Sequence, residues 1–491
     1  MALIIDRLND DILLLILYYL QRRDLRALSL TSKYLHTISS PKLWTVALID
    51  RDFSVFRWHE NIGTNARHIR EMAIHVDDKA LMLPDVLFAT TNIRSLEISC
   101  IYLHFDDPRL STALSGLCEL RTLSCVEVQD KMLPMIQSIP SPNLTSLCLR
   151  YHENQNVSDH LPSLISAIRS FPRLYALILQ YFMPTTAVDI ASYPPFPSIQ
   201  QLTLDGVNRP ATDLVYLCPN VTSLELCLDH PRQGDPHESQ PRWRPSQAIP
   251  RLTLTFPTTE VGDLMVSLLG HRGLCATHLR LESIVWEFTD DGISYTEHEP
   301  ACRLPRVLAV LKPLSLYLEI SATGNTKLSD RTGTLWQEVA AAAPRLRALV
   351  LHVDTCSDDT RWFPPDALAA ELARLPLVCV HLKADPEMLG GSKGQAERPR
   401  LRALAAFPGR LAAAIPTLRV VGVSDGWRES EGMRSERWWR VEREDGDGVS
   451  RWLFELWRED GERALRLVQN EAFCMSDLDD IYSEKCCYVR G

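Results

Sequence analysis

Residues 172–179, Pro172-Arg173-Leu174-Tyr175-Ala176-Leu177-Ile178-Leu179, decide the fold, because the same phrase returns along the chain. It runs proline, any residue, an aliphatic, two more residues, then an apolar-x-apolar strand. It is plain in Pro142-Asn143-Leu144 before Leu147 and Leu149, and in Pro197-Ser198-Ile199 before Leu202 and Leu204. It returns in Pro219-Asn220-Val221 before Leu224 and Leu226, and in Pro344-Arg345-Leu346 before Leu349 and Leu351. Weaker copies run from Ile93 to Leu96 and Ile98, Leu120 to Leu123, Leu314 to Leu318, Val378 to Leu382 and Leu418 to Val423, with Leu252-x-Leu254 and Leu279-x-Leu281 between them. The interval, roughly 22 to 40 residues between about 68 and 423, falls in the range of solenoid repeats.

Between these strands, stretches such as Leu161 to Ser170 and Asp366 to Leu375 carry aliphatics at helical spacing. Strand then helix, stacked repeatedly, places parallel strands on a concave face and helices outside, with this array expected over residues 65–425. Residues flanking the buried leucines point the other way along each strand. That puts Glu97, Arg150, Gln180, Asp205, Glu225, Arg280 and His352 on the concave face as candidate substrate contacts. Most of any outward set is simply solvated, so the candidate is the face more than any single residue.

Residues 8–48 read as short helices separated by polar breaks. Asn9 or Asp10 can cap the first, in which Ile12, Leu13, Ile16, Leu17 and Leu20 recur at helical spacing. Asp24 can cap a second through Leu25 and Leu28, Thr31 or Ser32 a third through Leu35 and Ile38, and Ser40-Pro41 can start a fourth. Such small helices cannot bury all their apolar residues among themselves, so Leu13, Leu20, Leu43 and Trp44 are expected to face another surface.

The order Leu8-Asn9-Asp10-Asp11-Ile12-Leu13, Ile16, Leu20, Asp24-Leu25, Leu28, Thr31-Ser32-Lys33, Leu35 and Pro41-Lys42-Leu43-Trp44 resembles an F-box, here over residues 5–50. The family has proline where this chain has Asn9, which keeps the capping role and loses the rigid turn. The resemblance implies docking onto a Skp-type adaptor, and through it onto cullin and RING subunits. It assigns Leu8, Asn9, Ile12, Leu13, Ile16, Leu20, Leu25, Leu28, Ser32, Leu35, Leu43 and Trp44 to that contact. The repeats look like the degenerate leucine-rich repeats that follow the F-box in fungal F-box proteins. The usual asparagine or cysteine after each strand is mostly missing. The implied fold class is α/β: a short N-terminal helical F-box module, a leucine-rich-repeat-like strand-helix solenoid and a C-terminal β-hairpin cap. The implied function is the substrate-recognition subunit of an SCF-type cullin-RING ubiquitin ligase holding a protein substrate; the alternative is a repeat scaffold that directs no ubiquitination.

Beyond the last repeat, Trp438 to Arg443 and Trp452 to Leu456 flank Glu444-Asp445-Gly446-Asp447-Gly448, which predicts a hairpin within a cap over residues 426–470. The turn explains Asp445 and Asp447 better than a calcium loop, whose other ligands are missing. Residues 471–491 are acidic and expected to be disordered, with neither Cys486 nor Cys487 placed for prenylation. Asp229 to Ala248 and Gly390-Gly391-Ser392-Lys393-Gly394 read as exposed loops, and the latter lacks the ending of a phosphate cradle.

Composition narrows the function further. A net charge of -10, from 52 basic and 62 acidic residues, argues against nucleic acid as partner. The apolar run Ile12 to Leu20 is preceded by acidic residues and is too short to span a bilayer, so no membrane association is expected. Thirteen cysteines without fixed spacing read as reduced, in the cytoplasm and/or nucleus, which leaves the triplets at Asn143, Asn156 and Asn220 unglycosylated. No zinc-spaced set, nucleophile elbow or dinucleotide fingerprint occurs, so no catalytic residue, metal or cofactor is expected. A hydrolase or transferase assembled from distant residues would need a deep pocket where titratable groups converge.

Overall fold

The computed structural model describes residues 9–49, 63–76, 82–100, 107–129, 132–152, 160–184, 192–228, 248–255, 269, 275–287, 304–323, 332–355, 365–386, 397–425, 436–443, 451–481 and 488–489. Leu8, Asn156, residues 229–247, the glycine loop, the turn at 444–448 and residues 482–487 lie outside them. The chain forms two compact units, Met1–Val221 and Thr222–Gly491.

Among the described residues the first unit opens with three helices, α1 (Asp10–Tyr19), α2 (Arg22–Ser29) and α3 (Lys33–Leu43). Two caps fall where the sequence puts them: the Asn9 side chain accepts from the Asp11 amide at 3.3 Å and Ser32 Oγ from the Leu35 amide at 3.1 Å. Two expectations change. Gln21 is the residue before α2, and Asp24 sits inside its first turn. No fourth helix starts at Pro41, which lies inside α3. Near a helix end a proline removes one N–H donor without breaking the rod.

Seven parallel strands follow: β1 (Val46–Ile49), β2 (Glu71–Val76), β3 (Ser95–Cys100), β4 (Thr122–Val128), β5 (Ser146–Tyr151), β6 (Ala176–Gln180) and β7 (Gln201–Val207). Between them run α4 (Leu83–Ala89), α5 (Pro108–Ser115), α6 (Met132–Gln137) and α7 (His160–Arg169). The recurrent phrase becomes a recurrent geometry. Leu144, Leu174 and Ile199 close tight turns onto Ser141, Phe171 and Phe196, and are fully buried. The next two amides then share one carbonyl of the preceding repeat: Tyr175 and Ala176 on Thr145, Gln200 and Gln201 on Tyr175. This fixes the register, so Leu96, Leu123, Leu147, Leu177 and Leu202 align across five strands, each at most 1% exposed. Each such leucine contributes about 1.5–3 kcal/mol of burial. Shifting one strand by a single residue would turn its leucines to solvent.

The second unit repeats the pattern with β8 (Ser223–Leu228), β9 (Ala248–Thr255), β10 (Cys275–Glu287), β11 (Ser315–Thr323), β12 (Ala348–Thr355), β13 (Cys379–Pro386) and β14 (Val420–Asp425), all parallel. Among the described residues the helices between these strands are α8 (Leu304–Leu311), α9 (Thr332–Ala342), α10 (Pro365–Leu372) and α11 (Glu397–Ala414). The buried row runs Leu224, Leu252, Leu279, Leu316, Leu349, Val380 and Val421.

The expected hairpin is present as β15 (Glu436–Arg443) and β16 (Arg451–Leu456). β15 pairs antiparallel with β14, closing the edge that the last parallel strand would leave open. The segment beyond it departs from expectation. A helix, α12 (Arg458–Gln469), and a short 3-10 turn, Met475–Leu478, follow, while β17 (Tyr488–Val489) pairs with β16. Residues 471–481 are therefore ordered. Leu478 and Ile481, the apolar punctuation of an acidic stretch, are buried and anchor it.

Candidate functional site

The helical module hides only part of its apolar surface. Leu13, Leu17, Leu25 and Leu35 form its interior, with Leu20, Leu28, Ile38 and Leu43 packed around them. Leu13 therefore faces the module itself and not an outside surface. Trp44, Leu20, Leu28 and Leu43 are half-buried, and Asn9 and Ser32 serve as caps. Of the described residues assigned by resemblance, Ile12 and Ile16 are the large apolar ones left open, at 49% and 41% exposure. Leu14, Leu15, Tyr18 and Tyr19 are exposed on the same helix, and Leu30 is exposed after α2. Helical periodicity alone missed these because α1 is apolar on every side, so no polar face marks where burial ends.

One lysine positions this surface. Lys42 Nζ donates to the carbonyls of Leu17 at 2.6 Å, Leu20 at 3.3 Å and Tyr18, and its ammonium lies over the Tyr18 ring. A cation on the carbonyls that a helix leaves unsatisfied at its C-terminus stabilises them, and here it also ties α1 to α3.

The strand residues chosen by alternation separate into two groups. In the first unit Arg150, Gln180 and Asp205 are direct neighbours on β5, β6 and β7, while Glu97 on β3 aligns with the row two residues earlier. Gln180 Nε2 donates to Asp205 Oδ2 at 2.9 Å, and the Arg150 guanidinium lies 5.6 Å from the centre of the Tyr181 ring. Tyr181 holds a left-handed backbone (φ +55°), as does Gly206 (φ +61°). A β-carbon on Gly206 would come within 2.6 Å of the Tyr181 ring, so glycine is what lets the ring lie flat there.

In the second unit Glu225 and Arg280 share a row through Thr253, and His352 stands two residues further along β12. Tyr317 joins them: Arg280 stacks 4.3 Å from its ring centre, Lys383 approaches to 6.0 Å, and its hydroxyl meets His352 Nδ1 at 3.1 Å. Glu319 lies 4.0 Å from the same nitrogen, and Arg280 pairs with Glu282. Tyr317, Glu319 and Lys383 were legible from the alternation Leu316-Tyr317-Leu318-Glu319 and from Leu382-Lys383, yet only the register shows that they converge.

This outward face is not open along its whole length. Ala348, Cys379 and Val420 form one outward row, and α12 lies on it through Ala464 and Val468. Arg347 holds the covering segment by donating to the carbonyls of Val468 (2.6 Å) and Asn470, with its guanidinium over the Phe473 ring. Gln469 donates to Ser315 Oγ at 2.9 Å, and Thr277 to Glu471 at 2.8 Å. Near the start of α12, Glu436 accepts from Trp438 Nε1 at 2.9 Å and from Arg458 at 3.1 Å. The His381 ring packs tilted against Trp438, with centres 4.5 Å apart, and its Nε2 lies 3.5 Å from Glu436. Burial, aided by Lys383 and Arg458, lowers the His381 pKa to about 3.

Two buried thiols among the described residues are held protonated. Burial raises Cys218 to about 12 and pushes Cys379 up as well, the opposite of an activated thiol. Among the described residues no cluster could hold a metal ion, and no helix is long and apolar enough to cross a membrane. A cavity of about 490 Å³ lies between β15 and residues 475–481, and its lining pairs Arg440 with Glu442 and Asp479 and contains no histidine or cysteine. No curated protein matches the chain. Residues 5–48, however, match the F-box-like family, and the helical module is therefore an F-box-like domain.

Proposed function

We propose that this protein is the substrate-recognition subunit of an SCF-type cullin-RING ubiquitin ligase. The F-box-like domain binds a Skp-type adaptor, and the strand faces, in the manner of leucine-rich repeats, hold a protein substrate. The observation that carries this reading is the exposed apolar surface of α1 within a domain matched to the F-box-like family. A surface containing Ile12, Leu15, Ile16 and Tyr19 is stable in water when a partner covers it. The protein supplies no catalytic group of its own. It raises the concentration of a bound substrate near ubiquitin carried by another subunit, in the cytoplasm and/or nucleus.

Affinity purification of the intact chain beside an Ile12→Asp, Leu15→Asp, Ile16→Asp variant tests it. These side chains are outside the module's interior, so the variant keeps its fold. Recovery of Skp-type adaptor and cullin with the intact chain alone is the expected result. Adaptor without cullin would point instead to a repeat scaffold outside ubiquitination. Recovery of neither would remove the ligase reading.

A further inference from the structure

The basic residues of this chain are divided unevenly. Only nine of its 52 are lysine, and none lies between Lys131 and Lys312. That interval contains β5 to β10, and with them Arg150, Gln180, Asp205, Glu225 and Arg280, five of the residues on the proposed substrate faces. Every cation there is arginine, including exposed Arg169, Arg173 and Arg251.

Arginine and lysine carry the same charge but differ in nucleophilicity. A lysine ammonium can lose a proton to give an amine, whereas guanidinium stays protonated. Ubiquitin transfer needs that amine. The nitrogen attacks the carbonyl of the ubiquitin thioester, a C–N bond forms, the C–S bond breaks, and the amine proton leaves with the carrier's thiolate. Because transfer depends on proximity, a lysine beside a held substrate would compete with the substrate's own lysines.

Of the four described lysines, all outside that span, Lys33 and Lys312 are exposed and the other two are engaged. Lys42 spends its ammonium on three carbonyls of α1, and Lys383 is half-buried against the Tyr317 ring. Arg173 donates to Asn143 Oδ1 at 3.2 Å, and Arg169 lies over the Tyr193 ring, contacts a lysine can also make. Resting on the ligase reading above, we infer that the lysine-free span of residues 132–311 shields the receptor from modification by its own ligase and directs ubiquitin to the bound protein.

The test reconstitutes the full-length chain with Skp-type adaptor, cullin, RING subunit, charged carrier enzyme and ubiquitin. It compares the native chain with Arg169→Lys, Arg173→Lys, Arg251→Lys and with a control changing the same residues to glutamine. Discharge of the carrier onto free lysine reports whether the complex works, independently of any acceptor on the chain. The lysine variant is expected to gain self-attached ubiquitin, mapped by mass spectrometry to the new lysines, at about three times the native rate or more. The glutamine control is expected to match the native chain. A working complex in which the lysine variant stays at the native rate overturns the inference alone. A chain that recruits no cullin and discharges no carrier overturns the ligase reading and the inference with it.

Discussion

Gly461 on α12 faces Trp438 on β15 so closely that a β-carbon at position 461 would lie 2.1 Å from the indole. Trp438 is fully buried, and Gly422 leaves room on β14, where a β-carbon would stand 2.7 Å from the same ring. The tryptophan thus sets the distance between the covering helix and the sheet.

Gly461→Ala should therefore destabilise the second unit by about 2–4 kcal/mol, because the indole and the helix cannot both keep their places. Gly409, also helical, meets nothing within 4 Å, and Gly409→Ala should be neutral or stabilising by up to about 1 kcal/mol. Urea denaturation of both variants checks the pair. Equal effects would mean that the α12 contact carries no stability.

Acid should loosen the second unit through His381. Its folded pKa, about 3, lies below the usual 6.5, so folding favours the neutral ring. The stability this gives is present above pH 6.5 and falls as pH drops, by at most about 1.4 kcal/mol per unit. His381→Gln cannot titrate. The stability difference between native protein and variant should shrink steadily from pH 7 to pH 5 in denaturant titrations; a constant difference would show that the imidazole is not held neutral.

Removing the Arg347 side chain should release the cover without unfolding the sheet. Arg347→Ala leaves the carbonyls of Val468 and Asn470 without their donor, at a cost of about 1–3 kcal/mol. Hydrogen exchange followed by mass spectrometry should speed up across residues 465–481 while β12 and β13 stay protected. Unchanged exchange there would show that the apolar contacts of Ala464 and Val468 hold the segment by themselves.

Lys42→Met should weaken adaptor recovery, because the ammonium ties the end of α1, with the exposed Tyr18, to α3. The variant keeps the stem and removes the ammonium from the C-terminal carbonyls of α1, costing the module about 1–2 kcal/mol. Circular dichroism of the variant should show fraying of helix, and adding adaptor should partly restore it by mass action. Full adaptor binding with unchanged helicity would assign Lys42 no positioning role.

Local rules in the sequence determined the helical module, the pairs of residues from which its Asn9 and Ser32 caps come, the parallel strands and the leucine rows. Each depends on neighbours a few residues apart, and the period of two along a strand states which side chains are buried. Those rules placed Arg150, Gln180 and Asp205 on one face without showing that they are adjacent, since adjacency depends on register between strands 25 to 30 residues apart. They misread residues 471–481, where the charge of the C-terminal stretch suggested disorder. Tertiary structure decided that Leu478, Ile481, Ala464 and Val468 find a sheet face to cover. It likewise decided that Leu13 is interior while Leu14 and Leu15 are exposed, because α1 is apolar all round and only packing against Leu25 and Leu35 chooses the buried side.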